Sequence, residues 1–273
     1  MSISGNLAVY NIDGITIYHG DSATILPGLD EQVNLCLTDP PFGINYQNNY
    51  THQLHDKISG DCGTSSYSEW AKHIYSMMKN NTAMFAFTGW SEYPHHYEEI
   101  QRCGFDMKEP LIVQKRPSGT SDLYGTFQSN ADWIIFAHKG RFRFRQTNLL
   151  RNKAAGVIPN RGRKPVAEWK TRFQSCWFGP EYPWSTENPA SIPFKWRHPT
   201  LKTIKLMEWI ILLTTDENDL IIDPYMGSGS TLIAARNLNR RAIGIEIEER
   251  HCKTAIDRLT SQSLKNMGDT NAR

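Results

Sequence analysis

The 273-residue chain has no stretch approaching eighteen uninterrupted apolar residues, and no basic-then-apolar leader opens it. Neither a membrane span nor a secretion signal is therefore expected, and a cytoplasmic location is. Cysteine is scarce too. Cys36, Cys62, Cys103, Cys176 and Cys252 are odd in number and contain no Cys-x-x-Cys pair, which argues against a disulfide framework and against a zinc cluster. The nine histidines show no ligand spacing, so no metal is expected. With 39% hydrophobic and 21% charged residues, the composition is that of a soluble globular protein, one large domain or one domain with an insertion.

The small net charge of +2 conceals an asymmetry. Between Lys139 and Arg197 thirteen Lys and Arg face only Glu168, Glu181 and Glu187, an excess of ten that leaves the rest of the chain at −8. A basic segment inserted in an acidic body is the electrostatic footprint of a polyanion partner, whereas a short run would read as a solvated loop. Its composition supports the first reading. Arg141-Phe142-Arg143-Phe144-Arg145 alternates charge and ring, so an extended strand here would be cationic on one face and apolar on the other.

Two stretches carry the chemistry. Val33 to Thr38 alternates as a strand and delivers Asp39-Pro40-Pro41-Phe42 at its carboxyl end, the rim where open α/β sheets bind ligands. The prolines stiffen the loop and remove donors, leaving a carboxylate, rigid carbonyls and an aromatic face together. That set suits a planar ring bearing an exocyclic amine, although a proline-rich turn capped by an acid has the same local sequence. The second stretch is Leu220 to Thr231: a buried strand ending at Asp223, then Tyr225, a Gly227-Ser228-Gly229 turn, and a helix opening at Ser230 or Thr231. A strand from Arg241 to Ile245 follows and ends at Glu246, giving one βαβ unit with an acid about 20 residues after the glycine turn, as a nucleoside-binding crossover requires.

Together these motifs resemble the amino-methyltransferases of DNA, which transfer a methyl group from S-adenosylmethionine to an exocyclic base nitrogen; the order of the motifs resembles their permuted β class. The resemblance runs from about Tyr18 to Leu259. It implies a doubly wound, Rossmann-like α/β sheet, circularly permuted. The catalytic domain would be split over 1–140 and 198–273, around a target-recognition segment at 141–197. Asp39, Pro40, Pro41 and Phe42 would hold the target base, extruded from duplex DNA. The cofactor would be held by Asp21, Thr200, Lys202, Asp223, Tyr225, Gly227, Ser228, Gly229, Thr231 and Glu246. By residue type alone Asp21 serves equally as a helix cap.

Arg141, Arg143, Arg145, Arg151, Lys153, Arg161, Arg163, Lys164, Lys170 and Arg172 would meet the DNA. The loop at 43–66 is expected to close over the extruded base and to be disordered without DNA. His198-Pro199-Thr200-Leu201-Lys202 matches the family's motif at the cofactor's methionine end, except that Thr203 stands where a proline is usual. A homodimer and a cognate restriction enzyme are partners that the resemblance allows.

Other readings leave residues unused. An oxidoreductase binding NAD would prefer Gly-x-Gly-x-x-Gly, where this chain has Leu232 at the third position. A non-catalytic nucleic-acid binder leaves Asp39 to Phe42 idle, and Cys176 lies near no Pro-Cys signature of the kind that methylation at cytosine C5 needs. Within the resembled family, enzymes acting on cytosine N4 more often carry serine before the two prolines, so Asp39 favours N6 of adenine.

Overall fold

The computed structural model describes residues 9–41, 67–114, 131–145, 176–177 and 202–270. Phe42, the 43–66 loop, Arg151, Lys153, Arg161, Arg163, Lys164, Lys170, Arg172, His198 and Thr200 lie outside them.

The strands are β1 (Val9–Ile12), β2 (Ile15–His19), β3 (Val33–Thr38), β4 (Met78–Thr88), β5 (Asp106–Met107), β6 (Leu111–Gln114), β7 (Ala131–Lys139), β8 (Cys176–Trp177), β9 (Leu220–Asp223) and β10 (Arg241–Glu246). The helices are α1 (Ser22–Ile25), α2 (Tyr67–Met77), α3 (Tyr93–Arg102), α4 (Ile204–Thr214), α5 (Ser230–Asn237) and α6 (Glu249–Thr270). One sheet joins the strands in the order β1-β2-β10-β9-β3-β4-β7-β6-β8, with β5 on the side of β7. Strands β2, β10, β9, β3 and β4 run parallel, and β7 is antiparallel to β4.

Alternation along each strand divides the core between the two faces of the sheet. Leu35 and Leu37 of β3 join one cluster with Met207, Ile210 and Ile211 of α4, Leu232 and Ile233 of α5, and Ala255 and Leu259 of α6. Cys36 points the other way, to Ile25 of α1, Trp70 and Ile74 of α2 and Ile100 of α3, and Val33 joins it there because the register shifts between Val33 and Leu35. Covered on both faces, β9 is buried throughout, which is why Leu220 to Ile222 is an unbroken apolar run.

The chain leaves β9 through α5 to β10 on one side, and leaves β3 through α2 to β4 on the other. Strands β9 and β3 are nevertheless neighbours, with Leu35 opposite Ile221 and Cys36 opposite Ile222. The point where winding reverses is the ligand crevice of a doubly wound sheet, and it falls between the Asp39 strand and the Asp223 strand.

The start of the chain, whose weak pattern predicts an edge or a tail, supplies the edge strand β1, paired with β2. Two features depart from the sequence reading. The amphipathic pattern predicts a last helix from Glu249 to Leu259, and that helix continues to Thr270. Residues 141–145 form no strand, yet their alternation is realised by packing: Phe136 stacks on Phe144 with ring centroids 5.6 Å apart, and Phe142 meets Phe144 edge-on at 5.2 Å. This start of the basic segment lies against the body. No described helix is long and apolar enough to cross a membrane.

Candidate active site

The glycine turn after β9 is built from its two ends. Met226 N–H donates to the Ile245 carbonyl at 3.0 Å, fixing the turn to β10, and Gly229 N–H donates to the Met226 carbonyl at 2.9 Å. The Glu246 carboxylate accepts from Gly227 N–H at 3.0 Å through Oε2 and from Glu248 N–H at 2.7 Å through Oε1. The acid that ends β10 thus sits directly under the turn, its negative charge held by backbone donors.

The two glycines differ. Gly227 has φ of +51°, and a Cβ built there would meet nothing within 4 Å, so the backbone faces open space. Gly229 has φ of +81° as the residue preceding α5, and a Cβ there would lie 2.8 Å from the Ala255 side chain. Only Gly227 is therefore placed for close approach to a ligand; Gly229, expected to share that role, instead lets α6 pack against the turn. Ser228 also faces inward. It is buried, and its carbonyl and hydroxyl accept from Arg258 Nη1 at 2.6 and 3.0 Å. Thr231 is buried and directs its hydroxyl at Asp223.

Asp223 accepts from Tyr225 N–H at 3.2 Å. Burial lifts its pKa to about 7, against the hydrogen bonds from Thr231 and Tyr225 that oppose the rise, and Asp39 adds to it. Asp223 therefore braces the turn from within the protein. Tyr225 meets the Trp70 ring edge-on at 6.1 Å. Asp21 is exposed and caps α1 by accepting from Ala23 N–H at 3.0 Å, while Gly20 N–H donates to the Glu246 carbonyl at 2.9 Å. The cap reading of Asp21 is met, and the same bonds keep it beside the ends of β2 and β10. An open backbone at Gly227, an acid beneath it and a second acid at the adjoining strand end fit a nucleoside, as S-adenosylmethionine requires.

On the neighbouring strand end, Lys202 Nζ lies 2.9 Å from Asp39 Oδ2 and 4.7 Å from the centroid of the Phe87 ring. Burial works to lower the Lys202 pKa, but Asp39 and Asp132 outweigh it and the net shift is upward. Lys202 precedes α4, whose N-cap is Thr203: its Oγ1 accepts from Leu206 N–H at 3.3 Å. The departure from the family's proline thus supplies a cap that proline could not.

A buried polar cluster supports this end. The Tyr67 ring stacks on His96 with centroids 3.5 Å apart and planes 8° from parallel, Thr88 Oγ1 and His96 Nδ1 are hydrogen-bonded at 2.7 Å, and Tyr67 Oη donates to the Phe87 carbonyl at 3.1 Å. Burial, helped by His95, lowers the His96 pKa to about 4 and keeps the ring neutral at physiological pH. Burial pushes the Tyr67 phenol well up, and Asp39 is near enough to add to the effect.

Tyr67, Phe87, Asp132 and Arg258 were not legible as site residues, because each reaches the site from an element whose local sequence reads only as helix or strand. In the basic segment, Arg145, expected to meet the DNA, has its Nε donate to Asp216 of the body at 2.9 Å. Lys139 donates to the carbonyls of Tyr75 and Met78 at 2.7 and 2.8 Å, closing the end of α2. The Arg141 backbone is held by Asn81 at 2.8 Å, and Arg143 gives its carbonyl to Arg145 at 3.2 Å. Among the described residues no cluster of His, Cys, Asp and Glu could hold a metal, and Cys36, Cys103 and Cys252 are free thiols.

Comparison with known proteins agrees with this architecture. The N6/N4 methyltransferase family model, described as DNA methylase, matches residues 33–257. The type II methyltransferase M2.DpnII of Streptococcus pneumoniae is 46% identical over 274 residues, covering 94% of either chain. M2.LlaDCHI of Lactococcus lactis subsp. cremoris is 48% identical over 264 residues, covering 92% of this chain and 91% of its own. Among solved structures, the M1.HpyAVI–SAM complex superposes with a TM-score of 0.62 at 24% identity, covering 90% of this chain and 98% of that one. The cytosine-N4-specific PvuII DNA methyltransferase superposes with a TM-score of 0.63 at 17% identity, over 89% and 85%. A family match across most of the chain, with two relatives near half identity along nearly their whole length, leads to one conclusion: this protein belongs to the N6/N4 family of DNA methylases.

Proposed function

We propose that the protein is an S-adenosylmethionine-dependent methyltransferase of the type II kind, acting on N6 of adenine in double-stranded DNA. The observation that carries this reading is the adjacency of β3 and β9, which brings Asp39 and the Gly227 turn to one rim although about 190 residues separate them. When bound, S-adenosylmethionine supplies a methyl group already activated by its positive sulfur.

The protein supplies position. Gly227 lets the backbone approach the nucleoside, Glu246 faces the ribose hydroxyls, and Asp21 and Tyr225 flank the adenine end. Thr200 belongs to the cofactor side by its place in the His-Pro-Thr motif. Asp223, Ser228, Gly229 and Thr231 hold the turn that does the binding.

On the target side, Asp39 and the Pro40 carbonyl accept the two N–H bonds of the amine, and Pro41 keeps the loop stiff. Phe42 stacks on the extruded ring. Held in this way the nitrogen is drawn toward tetrahedral geometry and its lone pair is freed from the ring, which favours attack through positioning and preorganised charge. The proton leaves after transfer, so no strong base is required.

Residues 141–197 form the target-recognition segment. Its Lys and Arg side chains neutralise phosphates while a few side chains read base edges in the major groove. Pairing with a restriction enzyme accords with the type II relatives, and a cytoplasmic location and a homodimer accord with the resemblance. The N4-cytosine reading is disfavoured by an acid at Asp39.

The test is to incubate the protein with tritium-labelled cofactor and mixed genomic DNA, digest to nucleosides and resolve them. Label in N6-methyl-2′-deoxyadenosine from duplex DNA is the expected result. Label in N4-methylcytosine, or in RNA alone, overturns the substrate while leaving the fold intact.

A further inference from the structure

The family resemblance places Lys202 at the methionine end of the cofactor, yet its ammonium is spent elsewhere. It contacts Asp39 Oδ2 at 2.9 Å, a charge-assisted distance, and lies 4.7 Å from the centre of the Phe87 ring. Both side chains are largely withdrawn from solvent, at 15% and 24% exposure, so the pair is not a loose surface contact. The stem is fixed as well. Lys202 sits one residue before the Thr203 cap of α4, a helix buried along nearly its whole length, and Phe87 is fully buried in β4 with its carbonyl bonded to Tyr67.

Asp39 also shares its end of the sheet with other acids. Asp132 acts on Lys202 across the site, and Asp223 and Asp39 are close enough to repel. Lys202 is paired with Asp39 and is acted on by Asp132 as well. A carboxylate meant to accept a hydrogen bond from an amine N–H must keep one orientation, and repulsion from neighbouring acids works against that. An ammonium on one oxygen fixes the plane of the carboxylate without exhausting its lone pairs, of which it has about four.

We propose that Lys202 is a positioning residue for methyl transfer, acting through Asp39: it orients the carboxylate toward the target amine and offsets the charge of Asp132, rather than binding the cofactor carboxylate. The inference rests on the proposed role of Asp39. It makes Lys202 matter to turnover and leaves cofactor affinity almost untouched.

The experiment compares Lys202→Met, Lys202→Gln and Lys202→Arg with the parent protein. Cofactor binding is measured by calorimetry without DNA, and turnover at saturating cofactor and DNA. Lys202→Met and Lys202→Gln should bind cofactor within about 3-fold of the parent while kcat falls by roughly 10²-fold, the order expected when a reacting group is misplaced. Lys202→Arg should recover most of that loss. Adding ethylammonium to Lys202→Met should restore part of kcat, where sodium at equal ionic strength does not; a merely structural lysine would show no such response.

If instead cofactor affinity falls in step with kcat/KM while kcat at saturation stays at the parent value, Lys202 is a cofactor ligand and the proposal is overturned. The Asp39→Ala variant separates this failure from failure of the underlying reading. Full turnover in Asp39→Ala removes Asp39 from the reaction, whereas an inactive Asp39→Ala beside a fully active Lys202→Met overturns only the role of Lys202. Thermal melts of all four variants identify misfolding, and should Lys202→Met not fold, Lys202→Gln and Lys202→Arg decide the question on the same readouts.

Discussion

Arg258 of the last helix donates to both the carbonyl and the hydroxyl of Ser228, at 2.6 and 3.0 Å, and so grips the glycine turn from behind. The same guanidinium reaches the Ser230 hydroxyl at 3.4 Å. Arg258 is buried at 5% exposure, which makes these bonds costly to lose: the Ser228 carbonyl would be left without that donor inside the protein. The turn that proposes itself for the cofactor is thus held by a residue some thirty positions later.

Arg258→Met should destabilise the protein by about 1–3 kcal/mol, the cost of a buried group left unsatisfied, and lower Tm by several degrees. Cofactor affinity should fall with it, because the turn loses its support. Calorimetric melts with and without cofactor check both; an unchanged affinity would detach Arg258 from the site.

The two glycines should respond differently to alanine. At Gly229 the new methyl meets Ala255 at 2.8 Å on top of a left-handed backbone, so Gly229→Ala should cost about 2–4 kcal/mol of stability. At Gly227 there is no neighbour within 4 Å, so Gly227→Ala should cost about 1 kcal/mol of backbone strain and show its main effect as weaker cofactor binding. Denaturant melts and a cofactor titration on the pair decide it; equal losses in both assays would contradict the division of roles.

Asp223 should make stability depend on pH in a defined direction. Its folded pKa of about 7 stands above that of an unfolded aspartate, so the folded state keeps a proton that the unfolded state releases. The stabilisation is full below the unfolded value of about 3.9 and is lost as pH rises to about 7, with no further change above it. Asp223→Asn mimics the protonated form. Its Tm relative to the parent should rise from pH 4.5 to about 7 and then level off; a difference that is flat across this range would show that Asp223 does not titrate there.

DNA affinity should fall steeply with salt, with a log–log slope of roughly −4 to −7 if about 5–8 phosphates are neutralised. Arg145, bonded to Asp216, should contribute little to that slope, and Arg145→Ala should leave it unchanged within error. Filter binding from low to moderate salt measures both. A slope near zero would remove residues 141–197 from the DNA.

Local pattern determined the elements. Alternation marked β3, an unbroken apolar run marked β9, and the Gly227-Ser228-Gly229 turn followed by a helix marked the crossover, because these signals depend on each residue's own side chain and its near neighbours. Asp39 and Glu246 were readable for the same reason, each lying at the end of a strand with its own pattern. What tertiary structure alone decided is which ends meet. That β3 lies beside β9, that Lys202 reaches Asp39, that Arg258 grips Ser228 and that Gly229 makes room for Ala255 are all contacts between residues far apart in the chain. Such contacts are chosen by which faces must be buried together, and no window of sequence carries that information.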